Sequence, residues 1–236
     1  MKATARLVAE RDTTGRTVLR ELRSMAPLTL FPRRRRAPDA LVHLVNSATS
    51  PLGGDELRLE VRVGAGARLT LSGVAATLAL PGPLGEASSS IVEVEVEAGG
   101  RFVYLPEPTV VTAGARHVAE LRVSLAGDAE FRAREVLVLG REGEAPGRLT
   151  STQHVVRAGR AVLRQTLDIG DPALGASLAY LAGRRVLATE ILLLEGKPVE
   201  PGGGEWWSVS PLAGGGAQVT ALADSTVDAE RMLTGA

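Results

Sequence analysis

Cysteine is absent from all 236 residues. That excludes disulfides, thiolate nucleophiles and thiolate metal sites, and it fits a reducing cytoplasm. Aromatic residues make up only 3% of the chain. The core must therefore be built from Val, Leu and Ala, and a pocket walled by stacking rings, as sugar-active enzymes use, is not expected. A charge excess is missing too, with 27 basic against 27 acidic residues. Nucleic-acid binding leans on positive charge, so nucleic acid is not expected as the main partner. No apolar run approaches the roughly 18 residues that would span a membrane. The opening MKATARLVAERDTTG has no apolar run of the signal-peptide kind, so no targeting segment is expected.

Catalytic constellations are also lacking. The run GKP at 196–198 lacks the hydroxyl residue and preceding glycine of a phosphate-binding loop. GAGARL at 64–69 fails the dinucleotide pattern at its last position and leads into a strand instead of a helix. GASLA at 175–179 stops one glycine short of a nucleophile elbow, which leaves Ser177 as a helix-surface serine. The three histidines, His43, His117 and His154, form no metal-ligand box with their neighbours. No enzyme is expected, and binding or scaffolding is the default role.

What the chain does contain is alternation. In PLGGDELRLEVRVGAGARLTL (51–71), Leu57, Leu59, Val61 and Val63 alternate with Glu56, Arg58, Glu60 and Arg62. A period of two is the pattern of a half-buried strand. A Gly-Ala-Gly turn follows, and then a second strand. The same unit returns as VEVEAGGRFVYL (94–105), VSLAGDAEFRAR (123–134) and VVRAGRAVLRQTL (155–167). Glycines 66, 99, 127 and 159 are roughly evenly placed, and glycine admits the positive φ such turns need. The spacing predicts an all-β chain: a large two-layer or coiled, β-helix-like stack of short strands.

Elsewhere the pattern is looser. Residues 5–30 read as two strands around a Thr13-Thr14-Gly15 turn, and 32–38 as a loop bounded by prolines. A further loop is expected over 81–90. Pro172 opens an expected helix reaching about Leu181, 186–194 an expected strand, and 225–233 a terminal helix capped by Asp224 or Ser225. Residues 198–205 and 214–216 read as Gly-rich turns or short linkers. No composition shift marks a boundary, so residues 1–236 read as a single domain.

Four fragments, in order, resemble the urease accessory protein UreD (UreH) family. They are PLTL at 27–30, SPLGGDELRLEVRVGAGARLTL at 50–71, YLPEPTVVTAGARH at 104–117 and EVLVLGREGE at 135–144. Residues beyond about 150 carry little of the likeness. Over 71–79 the chain departs from the family's usual run: Ala75 matches, while Thr77 and Ala79 stand where Lys and Tyr are usual.

The resemblance implies a cytoplasmic chaperone without catalysis of its own. It would act with UreF and the GTPase UreG on urease apoprotein to insert nickel, with a homodimer of such heterocomplexes as the expected assembly. It also implies a coiled, two-layer β fold with few helices and an internal path for nickel. No tightly bound cofactor is expected, only transient nickel. A conduit for a divalent ion wants scattered carboxylates without a closed cage, because a deep trap would not release its cargo. The alternative is a non-catalytic β-sandwich or solenoid module of another assembly.

Five residues are singled out. Asp55 matches the family's Gly-Gly-Asp turn: it either passes nickel along or bonds its own turn backbone. Glu135 opens a largely apolar strand, either facing a polar interior as a second nickel-path carboxylate or sitting at a strand end. Glu107, between Pro106 and Pro108, belongs in a rigid turn and is a candidate partner contact. Trp206 and Trp207 face opposite ways on an extended chain, so an exposed one would be an interface anchor. The Arg33–Arg36 run reads as a solvated loop or as a contact for an acidic surface.

Overall fold

In a computed structural model of the chain, residues 1–175, 177–194, 196 and 199–235 are described. The predicted all-β architecture is what forms. The first strands are β1 (Lys2–Arg11), β2 (Thr17–Arg23), β3 (Leu28–Arg33), β4 (Ala40–Asn46), β5 (Glu56–Val63) and β6 (Arg68–Gly73). Next come β7 (Thr77–Ala79), β8 (Ser88–Val96), β9 (Arg101–Leu105), β10 (Thr109–Val111), β11 (Arg116–Leu125) and β12 (Glu130–Leu139). The series ends with β13 (Arg148–Arg157), β14 (Arg160–Ile169), β15 (Val186–Leu193), β16 (Gly202–Gly203), β17 (Trp207–Pro211) and β18 (Ala217–Ala223). Two four-residue helices, α1 (Pro172–Gly175) and α2 (Leu178–Leu181), precede β15, and α3 (Thr226–Gly235) follows β18.

Two sheets face each other. One has seven strands in the order β14-β13-β11-β8-β5-β1-β2, and the other is an eleven-stranded sheet running β16-β17-β18-β15-β12-β9-β6-β4-β3 with β10 beside β12 and β7 beside β10. The repeated strand–Gly–strand unit is not a hairpin in its first three copies. In each, the turn carries the chain from the first sheet to the second: β5 to β6, β8 to β9, β11 to β12. Successive copies stack in parallel, β5 on β8 and β8 on β11 in one layer, β6 on β9 and β9 on β12 in the other. Even the turns are laddered, with Gly66 N–H bonded to Ala98 C=O and Ala126 N–H to Val96 C=O. The fourth copy behaves differently. At Ala158 and Gly159 both φ angles are positive, 49° and 76°. That is the turn a two-residue hairpin prefers, and β13 and β14 pair antiparallel within one sheet, ending the coil.

Several expected boundaries shift. Pro32 and Arg33 lie in β3, not in the loop, which is tolerable because β3 is a sheet edge and proline there removes no ladder donor. The expected loop over 81–90 gives way at Ser88, where β8 begins. The expected helix from Pro172 is split, with residue 176 outside the described residues. Of the Gly-rich run at 198–205, residue 198 lies outside them, as do residues 197 and 198 of the GKP run. The terminal helix is capped by Ser225, whose Oγ accepts the Asp228 N–H at 3.1 Å.

Alternation sends Ala5, Leu7, Ala9, Leu59, Val61 and Val63 inward against Val42, Leu69, Leu71, Phe102 and Phe131. This dry core sits toward the glycine-turn end of the coil. The outer face of the first sheet carries the charges, tied in ion pairs such as Arg122–Glu93 at 3.0 Å and Arg20–Glu10 at 3.0 Å.

Candidate functional site: an interior cavity with one buried carboxylate

The opposite end of the interlayer space is not filled. A cavity of about 180 Å³ lies between the sheets there, walled by inward residues of both layers, among them Leu57, Leu59, Ser90, Tyr104, His117, Leu149, Ser151 and Gln153. Its wall includes the segments 73–77 and 106–109, and reaches the surface at the exposed Glu107. These two segments are pressed together: a Cβ on Gly73 would lie 2.4 Å from the Glu107 backbone nitrogen. Only glycine allows that approach.

Glu135 is the interior carboxylate. It is the sixth residue of β12, well inside the strand, so it does not open the strand as the sequence suggested. The surface it retains is cavity wall. Ser151 Oγ donates to Glu135 Oε1 at 2.8 Å, and Gln153 Nε2 donates to Oε2 at 3.0 Å. Burial pushes the Glu135 carboxyl above its ordinary value, and these two donors only partly oppose that. Gln153 Nε2 also lies 3.5 Å from Thr189 Oγ1, while Gln153 Oε1 is buried with no hydrogen-bond partner. A buried orphan acceptor is costly and calls for a water or a cation. Beside it the Tyr104 hydroxyl is driven up by burial and by the Glu135 charge. His117 donates to or accepts from Ser88 Oγ at 2.8 Å, and burial lowers its pKa to about 4. It is neutral at physiological pH.

Asp55 is buried and is not among the lining residues. Its Oδ2 accepts Ser50 Oγ at 2.8 Å and Leu52 N–H at 2.8 Å, and its Oδ1 accepts the Met1 amino group. Burial would raise this carboxyl, but the Met1 amino group, the Leu52 N–H and Ser50 together hold it below the ordinary range. The turn role weighed from the sequence is thus the one its geometry displays. The turn it ties includes Pro51, which lines the cavity.

Glu107 lies in the connection from β9 to β10, as its prolines require. Trp206 and Trp207 are both half-buried. Trp207 packs beside the outer cluster of Val136, Ala188, Val209 and Val219. Trp206 lies under Arg184, whose guanidinium carbon stands 4.1 Å from the ring centroid. Ser177 is exposed between α1 and α2.

The sequence reading missed Tyr104, Ser151, Gln153 and Thr189. A signal for two of them existed. Leu149 and Val155 fix the inward phase of β13, and Ser151 and Gln153 fall on that same phase. Polar residues in a buried phase mark a polar interior. Among the described residues no group of three or more His, Asp or Glu side chains gathers into a metal cage, and no helix is long and apolar enough to cross a membrane.

Comparison with known proteins bears on this arrangement. The family model described as UreD urease accessory protein matches residues 1–235, so the likeness runs well past residue 150. The urease accessory protein UreD 1 of Saccharopolyspora erythraea is 56% identical over 237 residues, covering 99% of this chain and 93% of that protein. The urease accessory protein UreD of Streptomyces avermitilis is 40% identical over 240 residues, covering 99% and 95%. That of Streptomyces coelicolor is 37% identical over 242 residues, covering 100% and 95%. The chain belongs to the urease accessory protein UreD family.

Proposed function

We propose that the protein matures urease by passing nickel through the interlayer cavity to urease apoprotein. It does so in the cytoplasm, in a complex with UreF and the GTPase UreG, without catalysis of its own. Family membership supports the accessory role in urease maturation. The single observation that carries the nickel reading is the Glu135 carboxylate, held between Ser151 and Gln153 in a cavity whose wall extends to Glu107.

The chemistry suits a hard or borderline divalent ion in transit. Oxygen donors meet it one or two at a time, with an orphan amide oxygen beside the carboxylate. Each contact is weak enough to release. Burial makes an unpaired Glu135 charge costly, so an approaching cation is attracted there more strongly than at an exposed carboxylate. Asp55 serves this path from outside it, by fixing the turn that bears Pro51. Trp206 and Trp207 remain candidate partner contacts at the far edge of the larger sheet.

The test is co-expression of urease with UreF and UreG, with and without this chain. Nickel-poor, inactive urease only when the chain is absent supports the reading. Equal nickel content either way refutes it.

A further inference from the structure

Among the described residues, a helix covers the outer face of the larger sheet at one end and none covers it at the other. At the covered end α3 lies across β15 and β18, burying Ala229 and Leu233 on Val136, Val186, Ala188 and Ala221. Its Glu230 reaches Arg134 at 3.6 Å. Arg134 is thus the seam of this packing. Beyond it, on β9, β6, β4 and β3, the same face continues.

Two rows of side chains cross that remaining face. One runs Phe31, His43, Ser72, Leu105; the other runs Leu41, Thr70, Val103, Arg132. Leu41, Val45, Val103 and Leu105 are half-buried and belong to none of the three apolar clusters formed by the described residues. Phe31 is 52% exposed. An apolar strip on an open sheet face is the usual mark of an interaction surface. Its border is basic: Arg33, Arg34, Arg35, Arg36 and Arg68 are exposed and make no ion pair among the described residues.

The edge of this sheet is closed to strand addition. Leu28 N–H bonds Met25 C=O, Leu30 N–H bonds Ser24 Oγ at 2.9 Å, and Pro32 has no N–H. The outward donors of β3 are therefore used or missing, which blunts the edge. An occupant must lie on the face, not extend the sheet.

We infer that this face receives an amphipathic helix from a protein partner in the maturation complex, laid alongside α3 with an apolar stripe on Phe31, Leu105 and Val103 and acidic residues toward Arg33–Arg36. The inference rests on the maturation reading above. α3 already covers the adjoining half of the face in this way, and the basic border sets the charge of the helix that fits beside it.

The probe is a synthetic helix of about 18 residues, five turns, with a Leu stripe and Glu flanks, beside a twin carrying Lys for Glu. The full chain is expected to bind the Glu helix more tightly at low salt, and at least about tenfold more tightly than the Lys twin. Binding should protect amides of β4, β6 and β9 from hydrogen exchange. Leu105→Asp should abolish it, while Val118→Asp, on the outer face of the other sheet, should not; thermal melts confirm that both variants fold. Failure of the Glu helix to bind, equal binding by folded Leu105→Asp, or equal binding of the Lys twin overturns the inference. So does a solution dimer that Leu105→Asp dissociates, since a second copy would then be the occupant. UreF and urease apoprotein are assayed in parallel by co-purification. If they co-purify equally with Leu105→Asp, the docking face is wrong and the maturation reading stands. If neither co-purifies with the native chain while the Glu helix still binds, the face stands and the maturation reading falls.

Discussion

Ser151 on β13 and Glu135 on β12 meet across the space between the two sheets, with the serine hydroxyl 2.8 Å from a carboxylate oxygen. Facing sheets normally fill that space with apolar side chains. Here the filling stops, and a charged group stands in the gap with two donors and one orphan amide oxygen around it.

The arrangement costs stability, and Glu135→Gln should recover some. The new amide keeps the Ser151 bond and removes the buried charge, while its Nε2 meets an acceptor only when the Gln153 amide turns over. The gain expected at neutral pH is about 1 kcal/mol, or roughly 2–4 °C in melting temperature for a chain of this length. The sign with pH is fixed. A carboxyl whose folded pKa is raised weakens the fold as pH climbs from the ordinary value of 4.5 toward the folded value. The advantage of Glu135→Gln should therefore be small below pH about 4.5 and grow toward neutrality. Thermal melts across that range check it; a variant less stable than native at neutral pH contradicts the account.

Asp55 should behave in the opposite sense. Its folded pKa is lowered, so its contribution is present at neutral pH and lost as pH falls below the ordinary carboxylate value. Asp55→Ala removes three acceptor contacts from a buried turn and should cost about 2–3 kcal/mol at neutral pH. Asp55→Asn keeps acceptors for Ser50 and Leu52 and should cost less. If Asp55 only positions the turn, nickel loading of urease will follow stability through this pair. A stable Asn variant that fails to load urease would instead assign Asp55 a direct hand in transfer.

The dry end of the coil makes a useful contrast. Phe102 is fully buried, its ring 6.2 Å from those of Phe131 and Tyr104. Phe102→Ala should cost about 3–5 kcal/mol. Gly170→Ala should be at least as damaging, because φ there is +83° and the added Cβ would lie 1.8 Å from the Gly147 carbonyl oxygen. Chemical denaturation measures both, and a loss under 1 kcal/mol for Gly170→Ala would show that the backbone can yield there.

The coil was legible because period two and recurring glycines survive in three stacked copies. What could not be read was where each turn sends the chain. GAGA, EAGG and AGDA carry it into the other sheet, while the similar RAGR closes a hairpin, and the difference lies in the partner strand, not in the turn residues alone. Glu135 was legible as a carboxylate in an apolar strand, but its phase was hidden. Residues 136–139 are apolar on both faces, because α3 and its neighbours cover the outer one at Val136. The Ser151–Gln153 pair lay on the inward phase that Leu149 and Val155 set, but Thr150 and Thr152 between them make the middle of the strand polar on both faces. Asp55 was weighed from the sequence both as a nickel-passing carboxylate and as a turn residue, and its tie to Met1, between residues 54 apart, has no local signal.

The central claim is that the interior carboxylate handles nickel, and Glu135→Gln tests it most directly. The measurement is nickel per urease active site after co-expression with UreF, UreG and either the native chain or Glu135→Gln, at limiting nickel. The account predicts a variant that is folded and more stable, yet loads urease about tenfold less well, the effect of losing about 1.4 kcal/mol of attraction for the ion. Loading equal to that of the native chain, by a variant shown to be folded, would contradict it.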